Sequence, residues 1–152
     1  MAEIAGRAGV GVGTVYRHFS SREDLLGALV ERSFAIALAN AQAAAAHPGS
    51  AVDATRAFFH ATLRDRERFV LPLHGGPVVF TPTARELQAE VRASLQSLID
   101  RGRADGEIRD DLTPADLIVA ASALSRPLPN VEDWDELARR QIDLYVDGVG
   151  GP

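Results

Sequence analysis

The sequence predicts an all-α protein, and three observations carry that prediction. Apolar residues recur every three or four positions in successive windows, as at Leu87, Val91, Leu95 and Leu98, which lines one face of a helix. No run of β-branched residues alternates with polar ones as a half-buried strand requires. Capping hydroxyls, N-terminal prolines and glycine or proline stops divide the chain into segments of helical length.

In chain order, Ile4, Ala5 and Ala8 form the inner stripe of a short helix that Gly9 stops. Val12 to Phe19 is a second short helix, with Val15 and Phe19 on one face and Val10 plugging the angle between the two. Ser20 or Ser21 caps a third helix, whose first turn carries Glu23 and Asp24, and which runs inward through Leu25, Leu26, Leu29, Val30 and Phe34 to His47-Pro48-Gly49. Ser50 to Arg64 buries Val52, Phe58, Phe59 and Leu63, and a short helix from Arg66 to about His74 ends at Gly75-Gly76-Pro77. Pro82 to Arg103 is long, and Asp105-Gly106 breaks it. Thr113-Pro114-Ala115-Asp116 opens an apolar helix to about Ser125. Asp133 to about Val146 closes the chain, with Trp134, Leu137, Ile142 and Tyr145 inside.

Composition excludes several chemistries. The 152 residues contain no cysteine, so disulfides, thiolate metal sites and a cysteine nucleophile are ruled out. All sixteen basic residues are arginine, which removes a Schiff-base or P-loop lysine. The glycine run Gly9-Val-Gly-Val-Gly13 follows no strand and does not read as a nucleotide loop. His18, His47, His60 and His74 bring no further ligands at helical spacing, so no metal is expected. With no Gly-x-Ser-x-Gly and no acid–base pair, neither an enzyme nor a cofactor is expected. No segment has the apolar length of a signal peptide or a membrane span, so the expected location is cytoplasmic, with no membrane partner.

The net charge of −5 is unevenly placed. Residues 1–22 carry three arginines against one glutamate, whereas the other 130 carry thirteen against twenty acids. A basic end on an acidic body suits a protein that meets phosphates at one end only. There the chain reads helix, tight glycine turn, helix. The second helix turns Val12, Gly13, Thr14, Tyr16, Arg17 and His18 outward, with small residues first so that the backbone can approach base edges.

This stretch resembles the helix-turn-helix signature of the TetR family of regulators. Ile4-Ala5 matches the tail of the support helix and Gly9-Val10 the turn. Thr14-x-Tyr16-x-His18-Phe19 matches the recognition helix, and Glu23-x-Leu25-Leu26 the start of the linking helix. Arg22 stands where the family usually has lysine, which keeps a phosphate contact, and Gly11 stands where a polar cap is common. Gly106 to Leu117 is similar to the family's C-terminal domains. The resemblance implies an N-terminal module over 1–26 that lacks the family's first helix, followed by a TetR-type helical ligand-binding and dimerisation domain over 27–152. It implies a transcriptional repressor that reads double-stranded operator DNA with helix 12–18 and releases it when a small apolar effector binds. DNA-contacting residues would be Val12, Gly13, Thr14, Tyr16, Arg17, His18 and Arg22. The alternative is a helical dimer or small-molecule-binding protein that has lost its DNA module.

Two further expectations concern the body. The helices spanning 52–63, 66–74 and 82–103 should enclose an apolar cavity lined by Phe58, Phe69, Leu73, Phe80 and Val91, with Thr62, His74 or Arg85 meeting one polar group. The plain reading of those aromatics is ordinary core. Leu117, Ala120, Ala121 and Leu124, with Ile142, Tyr145 and Val146, form two stripes expected to build a homodimer as a four-helix bundle. The plain reading is that both stripes pack inside the protomer. The acids Asp110, Asp111, Glu132, Asp133, Asp135 and Glu136 read as a solvated rim.

Overall fold

Local chemistry sets each helix end. A computed structural model of the chain describes residues 1–69 and 79–150. Helix α1, Ala2–Arg7, stops at Gly9, whose φ of +66° is left-handed. The Gly9 N–H donates to Gly6 O and that of Val10 to Ala5 O, closing a Schellman turn into α2, Val12–His18. Helix α3, Arg22–Ala45, is capped by Ser21, whose hydroxyl accepts the Asp24 N–H at 3.0 Å. Ser50 caps α4, Ala51–Arg64, and Thr81 caps α5, Pro82–Ala104, each by accepting an N–H at 3.0 Å. Gly106, at φ +71°, ends α5 by a second Schellman turn. Helix α6, Pro114–Leu124, begins with a full capping box, Thr113 and Asp116 each bonding the other's backbone N–H. Helix α7, Trp134–Asp147, is the last. Among the described residues there is no strand, only one isolated bridge between Ile108 and Gly150.

Helices α3 to α7 share one core. Phe59, Leu95, Leu98, Ile99, Leu117, Ile142 and Val146 are completely or almost completely buried in it. Helices α4 and α5 approach so closely that a Cβ on Gly102 would lie 2.6 Å from the Ala51 Cβ. Arg101 Nη1 donates to the carbonyls of Ala45 and His47, both at 3.1 Å, and so closes the C-terminal end of α3. Arg56 pairs with Asp143 and Asp147, fastening α4 to α7.

Four sequence expectations are corrected. Over the described residues 66–69, the helix expected from Arg66 to His74 is replaced by a single 3₁₀ turn, Arg66–Arg68, with Phe69 extended after it. Its closure is electrostatic as well as backbone: Asp65 takes the Arg68 guanidinium at 2.9 Å, while the Arg68 N–H donates to Asp65 O. Leu73, His74 and the Gly75-Gly76-Pro77 stop lie outside the described residues. The two stripes expected at a dimer interface face inward: Leu117, Ala121, Ile142 and Val146 are at most 2% exposed, because α6 and α7 close the protomer's own core. Ala120, Leu124 and Tyr145 pack beside them, half-buried. Leu137 and Val10, expected inside, are exposed, and so are Ile4 and Ala8 of the stripe expected on the first helix, where only Ala5 is buried. Two of the rim acids are partnered, Asp135 with Arg66 and Asp111 with Arg109.

Candidate functional site

Two features combine exposure, shape and chemistry in a way that core packing does not require. The first is the surface of α2. Only Val15 is buried on that helix, Thr14 is half-buried, and Val12, Gly13, Tyr16, Arg17 and His18 are exposed. Tyr16 is 51% exposed, unusual for a ring with no hydrogen-bond partner among the described residues. Gly11 caps α2 without a side-chain bond, as its lack of a hydroxyl dictates. Arg22, the first residue of α3, is exposed as well. No acid occurs between Gly9 and Ser21, so the α2 surface is cationic apart from its apolar leading edge. Arg7 is offset by Glu3 at 3.1 Å, within α1.

The second feature is a cavity of about 330 Å³ between α3, α4, α5 and α6, within the size range of small-molecule sites. Phe34 and Ala37 face it from α3, Phe58 and Thr62 from α4, and Gln88, Val91 and Arg92 from α5. Ile118, Ala121, Ser122 and Ser125 close the α6 side, while Arg66, Glu67, Phe69, Arg126 and Pro127 come from the intervening turns. Of the expected lining residues, Phe58, Thr62, Phe69 and Val91 do meet there. Phe80 instead stacks against Phe34, ring centres 5.7 Å apart, and Arg85 is exposed outside the lining. The contributions of α3 and α6 were missed. A readable signal for α6 was its serines: Ser122 interrupts the apolar run Leu117–Leu124 and Ser125 follows it at the C-cap, both in the cavity lining.

Asp65 anchors the cavity's floor turn. It is buried, accepts from Arg68 at 2.9 Å and Asn40 at 3.3 Å, and lies 3.4 Å from Arg64. Burial works against its ionisation, but the Arg68 and Asn40 hydrogen bonds and the Arg64 charge outweigh it, and its pKa lies below the ordinary aspartate value. A depressed carboxylate stabilises the native state above its unfolded pKa, and that contribution is lost as pH falls through the native one. Urea titrations should therefore show stability falling below about pH 4, with Asp65→Asn lower at neutral pH and flatter through this window. An identical acid limb in the variant would remove Asp65 from the account.

The fold is shared with known regulators. The family model described as "Bacterial regulatory proteins, tetR family" matches residues 1–29, and that described as "Transcriptional regulator SbtR-like, C-terminal domain" matches residues 78–150. No curated protein matches the sequence. Among solved structures the chain is similar to the TetR transcriptional regulator SCO0520 from Streptomyces coelicolor. Identity is 26%, coverage 97% of this chain and 85% of that one, and the TM-score 0.60. A TetR family transcriptional regulator, PfmR from Thermus thermophilus, shares the fold at 20% identity, covering 96% and 86%, with a TM-score of 0.64. A protein of Shewanella sp. PV-4 assigned to the same family does so at 23%, covering 99% and 87%, with a TM-score of 0.65. No helix among the described residues is long and apolar enough to cross a membrane. With a helix-turn-helix match at one end, a regulator-domain match at the other and the same fold running through both, the chain belongs to the TetR family of DNA-binding, non-enzymatic transcriptional regulators.

Proposed function

We propose that the protein is a ligand-responsive repressor that works as a homodimer in the cytoplasm, holding operator DNA until a small effector fills the cavity. The observation that carries this reading is the path of α3. The helix begins at Arg22, directly after α2, and presents Phe34 and Ala37 to the cavity 12 and 15 residues later. At 1.5 Å per residue that is about 20 Å of continuous helix. A ligand that displaces Phe34 therefore acts on the element that aims α2. It lowers DNA affinity by its differential affinity for the misaligned form, and by no more than that.

In the major groove, Val12 and Gly13 allow close approach of α2, Thr14 touches base edges, and Tyr16, Arg17, His18 and Arg22 hold phosphates. The partner surface lies opposite the core stripes of α6 and α7. Val119 and Leu144 are 67% and 58% exposed, and Leu137 and Ala123 lie on the same outward faces. Apolar side chains this exposed on adjoining helices suit an isologous four-helix contact.

DNA contact is checked by mobility shift on the gene's own upstream region. Tyr16→Ala and Arg22→Ala should each weaken binding on the order of tenfold on every sequence tested. Arg22→Ala should also reduce the salt slope by about one. Unchanged affinity in both variants would mean that another surface meets the DNA.

A further inference from the structure

We propose that the cavity takes an amphipathic anion: an apolar body of about ten heavy atoms carrying one carboxylate. The inference rests on reading the cavity as the effector site and adds the ligand's chemical class. Size follows from the volume, since 330 Å³ holds on the order of ten groups at about 30 Å³ each. The buried part of the lining is Phe58, Val91, Ala121 and Ser125, and its one side-chain polar atom is the Ser125 hydroxyl, so the body of the ligand is largely apolar.

Charge follows from the more exposed part. Arg66, Arg92 and Arg126 stand there against one carboxylate, Glu67. Arg66 is tied to Asp135 through Nη1, which leaves further guanidinium N–H groups for an acceptor. Counting Asp135 with the lining still leaves the balance positive, so an anion neutralises the site and a cation compounds it. Arg92 has no acid within 4 Å among the described residues, and a planar guanidinium meets a carboxylate in a two-bonded fork. The C-terminal ends of α4 and α6 also approach the cavity, and their dipoles favour a cation. That effect is about half a charge each, and Ala61 O, Ala121 O and Ala123 O already accept backbone N–H groups. The full guanidinium charges outweigh it.

Isothermal titration of the 152-residue chain with three probes of one chain length, decanoate, 1-decanol and decyltrimethylammonium, separates the possibilities. Decanoate should bind at least about tenfold more tightly than either of the others. Arg92→Gln should shrink that preference while leaving decanol affinity unchanged. Gln88→Trp, a cavity-filling change on the partly exposed side of α5, should abolish binding without altering the helical circular dichroism. If decanol binds as tightly as decanoate and Gln88→Trp removes it, the charge assignment is overturned and the effector site stands. If a preference for decanoate survives both Arg92→Gln and the Arg92→Gln/Arg126→Gln double change, the assignment is likewise overturned. If no probe binds, the effector-site reading and the proposal fail together.

Discussion

Leu144→Arg is expected to give a monomer at micromolar concentration and to remove most operator affinity. Leu144 is 58% exposed in the protomer, so an arginine there barely disturbs the fold. About a two-fold axis the same change enters the interface twice. Each unpaired guanidinium taken from water costs several kcal/mol, more than a moderate dimer contact supplies. Operator affinity falls further because two linked reading helices gain about 10²–10⁴ over one. Light scattering gives the mass and mobility shift the affinity, with Val119→Arg as the second probe of the same face. A dimer mass in both variants would place the partner surface elsewhere. Leu117→Ala is the internal control: Leu117 is fully buried, so its loss lowers stability instead of cutting a surface contact.

Phe59→Ala should be the most destabilising single truncation in the body, at about 3–5 kcal/mol. Phe59 is 1% exposed, its ring 5.2 Å from that of Tyr145 on α7 and edge-on to Phe58 at 5.9 Å. Removing it opens a void that α4, α5 and α7 cannot all collapse into. In a protein of this size the fall corresponds to a melting temperature lower by on the order of 10 °C. Phe58→Ala, one residue away, should cost less, about 1.5–3 kcal/mol. Phe58 faces the existing cavity, so its lost volume merges with space already present. Urea unfolding of the two variants side by side checks the order. Equal losses would mean that the cavity wall is as tightly packed as the core.

Helix positions were legible because they rest on local chemistry. The Schellman glycine at Gly9 and the Thr113–Asp116 capping box act over a few neighbouring residues, and both ends fall where the residues say. The outward face of α2 was legible for a similar reason, since seven residues offer one buried position and Val15 takes it. The segment after α4 was not. Its sequence allows a helix, but Asp65 is held by Asn40, 25 positions away on α3, and closes a 3₁₀ turn there.

The sequence by itself determined an all-α chain, its helix boundaries over most of its length, and which residues of α2 face outward. Only the tertiary structure decided which face of each body helix is inside. Leu117 and Ala121 lie on one stripe of α6, Val119 and Ala123 on another, and both are apolar. Periodicity says that a helix has a hydrophobic side, but α6 is apolar nearly all round, so its pattern cannot choose between the protomer's core and a partner. That choice, and the cavity that α3 and α6 help to enclose, depends on where the body helices α3 to α7 meet. It follows from long-range packing that no local rule contains.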